Sequence, residues 1–111
     1  MITIMIDHPI QPKTRPRLGR GGNVYSPSAQ AEKGLAWEFR AQAGTFETSE
    51  PVALFIEIAY SKGDLDNYLK TICDALQKSS IVKNDKQVVE IHMKKRQKTG
   101  LFLQIIELER K

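Results

Sequence analysis

The hydrophobic pattern of this chain predicts an α+β domain in which two helices pack on a mixed β-sheet. Three observations carry that reading. Apolar residues alternate with period two at Ile2, Ile4 and Ile6, at Leu54, Ile56 and Ile58, at Val89, Ile91 and Met93, and again from Leu101 to Leu108. They recur at helical spacing at Ala31, Leu35 and Phe39, and at Leu69, Ile72, Cys73 and Leu76. The resulting order is strand, loop or hairpin, helix, strand, helix, strand, strand, which suits helices layered on a mixed sheet. A chain of 111 residues has material for one core, so residues 1–111 read as a single domain.

Each element has a local reason. Ile2, Ile4 and Ile6 alternate with Thr3 and Met5 in the first strand. Pro9, Pro12 and Pro16 then keep the chain out of helix and central sheet. The stretch runs through Gly19, Gly21 and Gly22 to Asn23, as a long loop or a loose hairpin closing at Val24 and Tyr25. Ser26-Pro27-Ser28 can open the first helix, Ala36 and Ala43 flank its apolar stripe, and Gly44 ends it. Val52 to Tyr60 reads as a strand with Leu54, Ile56, Ile58 and Tyr60 on one face and Ala53, Phe55, Glu57 and Ala59 on the other. Ser61-Lys62-Gly63 breaks it. The second helix follows, with Asp66 placed as its N-cap and Lys70, Asp74 and Gln77 away from the core stripe. Residues 79–86 read as polar loop around the apolar pair Ile81-Val82, and Thr99-Gly100 as the turn between the last two strands.

Composition excludes several classes. Hydrophobic residues are 41% and charged residues 27%, proportions that argue against a disordered, collagen-like or membrane-spanning chain. The longest unbroken apolar run, Val52 to Ile56, falls far short of the ~18 residues of a membrane span. The N-terminus lacks the basic start and long apolar stretch of a secretory signal. The single cysteine, Cys73, suits a reducing cytoplasm, and two histidines with one cysteine argue against structural zinc. Net charge is +4, unevenly spread. Residues 1–30 carry four basic and one acidic side chain, residues 31–60 two and five, residues 61–93 five of each, and residues 94–111 six and two. Basic ends around an acidic or balanced middle fit a polyanionic partner held by the ends as well as they fit a solubilising surface.

The residues that could do chemistry cluster around the second helix. Asp64 and Asp66, one residue apart, would point the same way in extended chain, with Cα atoms roughly 7 Å apart. Paired carboxylates make the hard oxygen site that Mg²⁺ prefers. An Asp before a helix is commonly a cap, which fits Asp66 better than Asp64. Asp85, taken alone, reads as a turn residue in Lys83-Asn84-Asp85-Lys86. Lys70 follows Asp66 by four residues. It is placed either for a surface ion pair of about 0.3–0.5 kcal/mol or as a cation beside a metal site, ready to meet a phosphate. Asp74 stands a further turn on. Lys13, Arg15, Arg17 and Arg20 put four cations in eight residues with no acid, which favours contacts to nucleic-acid phosphates over a merely solvated loop. Lys94, Lys95, Arg96 and Lys98 are a weaker candidate, since strand alternation splits them between two faces. His92 reads as a surface strand residue, Trp37 as a core or dimer contact, and Cys73 as buried packing.

Gly63-Asp64-Leu65-Asp66-Asn67-Tyr68-Leu69-Lys70-Thr71-Ile72-Cys73-Asp74-Ala75-Leu76, followed by Asn84-Asp85-Lys86-Gln87-Val88, resembles the signature of the RusA family. These are endodeoxyribonucleases, often carried by phages, that resolve Holliday junctions. Pro12-Lys13-Thr14-Arg15-Pro16-Arg17 with Tyr25-Ser26-Pro27 resembles that family's start, so the likeness spans nearly the whole chain in order and spacing. It implies a RusA-like homodimer that cuts branched DNA with paired symmetric nicks in recombination and repair, in a bacterial or phage-encoded, cytoplasmic setting. It also implies that Asp64, Asp66 and Asp85 hold Mg²⁺ while Lys70 stabilises charge on the scissile phosphate. Three departures stand out. Asn84 occupies a position where the family often has Asp, Ile81-Val82 lacks the aromatic often found nearby, and Gln77-Lys78-Ser79-Ser80 replaces a glycine-containing turn. The alternatives are a non-enzymatic nucleic-acid-binding module of the same fold and a nuclease on other branched nucleic acids. The intact acidic set with Lys70 speaks against the binding-only reading.

Overall fold

A computed structural model of the chain describes residues 1–10, 17–18, 24–25, 29–59, 65–97 and 99–108, with backbone alone at 17–18, 24–25 and 29–30. The strands are β1 (Ile2–Ile6), β2 (Arg17–Leu18), β3 (Val24–Tyr25), β4 (Val52–Ala59), β5 (Val88–Arg96) and β6 (Leu101–Glu107). The helices are α1 (Ala29–Ala43) and α2 (Leu65–Lys78), and a 3-10 turn spans Asp85–Gln87. Four strands form one mixed sheet in the order β1-β6-β4-β5. β1 and β4 each pair antiparallel to β6, while β4 and β5 run parallel. Parallel neighbours cannot be joined by a tight turn. α2 is the crossover, so its first turn follows the end of β4 and its last turn leads back to the start of β5. This is the predicted α+β fold.

One face of the sheet is dry. Ile4, Ile6, Leu54, Ile56, Ile58, Leu101, Leu103 and Ile105 are buried beneath the two helices, which contribute Leu35, Phe39, Tyr68, Ile72, Ala75 and Leu76. The stripe on α2 is rotated from the expected one. Leu69 and Cys73 are half-buried at its edge, and Tyr68, Thr71 and Ala75 lie inside, because α2 is covered by α1 on its Thr71 side as well as by the sheet. On the opposite sheet face Phe55, Glu57 and Ala59 are half-buried, whereas Ala53 is buried. Tyr60 lies outside the described residues.

Three further expectations are revised or sharpened. Trp37 is 79% exposed and not a core residue, since α1 turns Leu35, Ala36, Phe39 and Ala43 inward and Trp37 falls on the opposite side. Ile81 and Val82 are fully buried, and Val82 forms a bridge to Thr48. The stretch of prolines and glycines contains a hairpin, with Arg17 opposite Tyr25 and Leu18 opposite Val24. α2 ends without glycine. Ser80 itself takes the left-handed conformation (φ 64°), which lets Ile81 N–H bond back to Leu76 O at 3.1 Å. Gly100 is obligatory in the β5–β6 turn. Its φ is 105°, and a Cβ there would run into the carbonyl of Ile6.

Candidate active site

α2 begins at Leu65, so Asp66 is its second residue and not its N-cap. The side chain is exposed in the first turn, where a carboxylate meets the positive end of the helix dipole. Asp64 lies outside the described residues. Lys70, one turn after Asp66, is exposed as well. Among the described residues it forms no ion pair with Asp66 or Asp74, so the surface pair that the spacing permits is not what holds it.

Asp85 is the first residue of the 3-10 turn, and it too is exposed. Its turn packs beside α2. Burial first, and then the carboxylates of Asp74 and Asp85, push the Cys73 thiol up to about 11. The field of Asp85 therefore reaches the middle of α2, two turns beyond Asp66. Among the described residues no three His, Cys, Asp or Glu side chains are grouped to hold a metal. Asp64, the third carboxylate of the expected set, is outside those residues. The chemistry of the donors fits a hard divalent cation, which takes oxygen ligands. Asp66 and Asp85 are solvent-facing oxygen donors whose side chains make no hydrogen bond or ion pair among the described residues.

The cations fall in two places. Lys13, Arg15 and Arg20 lie outside the described residues, and Arg17 is described by backbone alone, in β2. On β5, Lys94 and Lys95 are exposed on alternate faces and Arg96 is half-buried, while Lys98 is not described. Lys94 stands 3.8 Å from Glu57. His92 is the surface residue expected. Its Nε2 is 2.7 Å from Glu90 Oε1, and its ring stacks on Phe55 with centroids 4.6 Å apart. A groove of about 550 Å³ lined by Lys33, Trp37, Arg40 and Lys78 opens at the far end of α2. It is some 18 Å of helix from Asp66, so this concavity is not at the carboxylates.

Sequence reasoning missed what surrounds Asp85. Asn84 is an N-cap whose Oδ1 accepts from Lys86 N–H, and the Gln87 side chain accepts from Asn84 N–H in return. The signal was present as Asn-x-x-Gln, the spacing of a capping box.

Asp66, Asp85 and Lys70 are exposed on a basic α+β domain and their side chains are engaged by no other described residue, so the carboxylates are open to a hard cation and the lysine to an anion. The family model for endodeoxyribonuclease RusA matches residues 7–106. A crossover junction endodeoxyribonuclease RusA from Aquifex aeolicus (strain VF5) is 31% identical over 87 residues, which cover 73% of this chain and 68% of that protein. The chain belongs to the RusA family and is an endodeoxyribonuclease, a class that works with a divalent metal.

Proposed function

We propose that this endodeoxyribonuclease is a Mg²⁺-dependent Holliday junction resolvase that acts as a homodimer on opposed strands of a four-way junction. The observation that carries the reading is the pair Asp66 and Lys70, one turn apart on the exposed side of α2 and engaged by no other described side chain. Asp64, Asp66 and Asp85 are the residues that would hold the metal. When bound, Mg²⁺ lowers the pKa of a coordinated water and polarises a phosphate oxygen. Lys70 presents its ammonium to the phosphate as charge builds there. Lys13, Arg15, Arg17 and Arg20 hold the DNA backbone near an acidic surface that would otherwise repel it, without reading sequence.

Symmetry and exposed apolar surface support the dimer. A four-way junction has a pseudo-two-fold axis, and two copies place two sites symmetrically on it. One chain has one acidic set and can cut one strand at a time. The open sheet face offers apolar contact area, with Phe55 and Phe102 half-buried and Met5 61% exposed. Among the described residues no helix is long and apolar enough to cross a membrane, and the cytoplasm, where the DNA is, is the proposed location.

The test is incubation of a labelled four-way junction and a matched duplex, with and without Mg²⁺. Paired nicks in the junction alone, only with metal, are expected. Equal cutting of duplex refutes junction selectivity, and tight binding without cutting would establish a binding module instead. Light scattering should give a dimer mass. A monomer that still makes paired nicks in one binding event refutes the dimer.

A further inference from the structure

The Asp85 side chain makes no hydrogen bond of its own among the described residues, so the backbone of its turn sets the point from which its carboxylate reaches out, and the Gln87 side chain holds that turn. The Gln87 side chain saturates its amide in doing so. Its Oε1 accepts from Lys83 N–H at 2.8 Å and from Asn84 N–H at 2.9 Å. Its Nε2 donates to Thr48 O at 2.8 Å and to Glu50 O at 3.0 Å. A primary amide has two donor hydrogens and two acceptor lone pairs, and all four are used. Two bonds close the turn around Asp85, and two tie that turn to the segment leading into β4.

That segment is itself anchored. Thr48 N–H donates to Ile81 O at 3.0 Å, and Thr48 Oγ1 donates to Glu107 Oε2 at 2.8 Å while accepting from Glu50 N–H at 3.0 Å. Thr48 is buried, at 4% exposure. The chain of bonds thus runs from the turn of Asp85 through Gln87 and Thr48 to Ile81, just past the end of α2, and to β6. Asn84 completes the device from the other side, with Oδ1 accepting from Lys86 N–H at 2.9 Å. Capping needs an acceptor at this position and no charge, so Asn serves as Asp does.

We propose that Gln87, with Asn84 as its cap, is the positioning residue that fixes Asp85 for metal binding. The inference rests on the reading of Asp85 as a metal-holding carboxylate. Partners that orient metal ligands from behind typically govern affinity by about 10- to 100-fold. Gln87→Met removes all four bonds at similar volume. Gln87→Glu keeps the acceptors but turns a carboxylate oxygen toward the carbonyls of Thr48 and Glu50.

The experiment titrates Mn²⁺ into the full chain and follows loss of the free-ion electron paramagnetic resonance signal, with thermal melting in parallel. Metal dependence of junction cleavage is then measured on the same preparations. Folded Gln87→Met and Gln87→Glu should bind Mn²⁺ about 10-fold or more weakly, and raised metal should restore their cleavage toward the unmodified level. Asn84→Ala should weaken binding, whereas Asn84→Asp should not. That pair carries the test if the Gln87 variants do not fold. Wild-type Mn²⁺ affinity in folded Gln87→Met or in Asn84→Ala overturns the proposal. Asp85→Asn separates the two levels. If it binds metal and cleaves as the unmodified chain does, the reading of Asp85 fails. If it is inactive while Gln87→Met is normal, only the positioning role fails.

Discussion

Replacing Lys70 with Ala separates catalysis from folding, because the structure gives the side chain nothing to lose in the folded state. Lys70 is exposed and makes no ion pair among the described residues. Ala is at least as good a helix former, so the intrinsic change is a few tenths of a kcal/mol in favour of the variant. Stability should therefore move by no more than about 0.5 kcal/mol, or less than about 4 °C in Tm for a domain of this size. The expected kinetic loss is of a different order. Donors preorganised for charge developing in a transition state contribute roughly 2.7–4 kcal/mol, which is 100- to 1,000-fold in rate. Single-turnover cleavage of a four-way junction at saturating enzyme reads this directly, with gel-shift affinity measured beside it. An unchanged rate at saturation, even with weakened binding, would show Lys70 to be at most an anchor on the backbone and would refute its place at the reacting phosphate.

Asp66→Asn and Asp85→Asn should each abolish cleavage while leaving the fold and junction binding intact, since neither carboxylate holds an intramolecular hydrogen bond among the described residues. Cleavage at the wild-type rate by either variant, assayed across a Mg²⁺ titration, removes that residue from the site. Changing Arg15 and Arg17 together to Ala should weaken binding to junction and duplex alike. It should also reduce the slope of log affinity against log salt by roughly 0.9 for each phosphate the pair neutralises, whereas an unchanged slope excludes these two arginines from the DNA backbone. Ser80→Gly should raise the melting temperature or leave it unchanged. The left-handed conformation costs an L-residue about 1–2 kcal/mol, more than the roughly 0.5–1 kcal/mol entropic penalty of glycine, and a clear drop in Tm contradicts the strain assigned to φ 64°.

What was legible in the sequence was periodic. β1, β4 and β6 appear where apolar residues alternate, and α2 where they recur at three and four, because those periods record which face meets the core; in the edge strand β5 the alternating Val89 and Ile91 are exposed. Errors came where a neighbouring element decides burial. Leu69 and Cys73 obey the helical spacing yet sit at the edge of the stripe, and no local pattern reveals that α1 covers the Thr71 side. Ile81-Val82, bracketed by polar residues, looked like loop and is core because Thr48 pairs with Val82 from more than thirty residues away. The same limit governs the site. Asp66 and Lys70 are neighbours by helix geometry alone, so their spacing suffices to place them together. The position of Asp85 depends on a tertiary clamp that ends at Thr48 and Glu50, which no spacing within 83–88 encodes.

A physical contrast between the candidate residues and their surroundings follows from these bonds. Arg40, Lys78 and Gln87, near the turn of Asp85 and the end of α2, are spent on the scaffold, whereas Lys83 and Lys86 beside Asp85 are exposed and their ammonium groups make no bond among the described residues. Arg40 donates to the carbonyls of Gly44 and Phe46 at 2.9 and 3.1 Å and to Ser79 O, Lys78 pairs with buried Glu32 at 2.8 Å, and Gln87 uses its entire amide. The side chains of Asp66, Lys70 and Asp85 are spent on nothing among the described residues. A carboxylate already bound by backbone N–H groups or an arginine would have to give up those bonds before serving a cation, and a paired lysine would be partly neutralised before meeting a phosphate. Leaving these three unbound costs little in water, because exposed ion pairs contribute only about 0–1 kcal/mol each. It preserves the full charge of each for a ligand that arrives from outside. The rigidity such a site needs then comes from neighbours and not from the charged groups themselves. On the proposed reading that rigidity is supplied by α2, whose other side is sealed by Tyr68, Ile72 and Leu76, and by the turn of Asp85, which Asn84 and Gln87 hold.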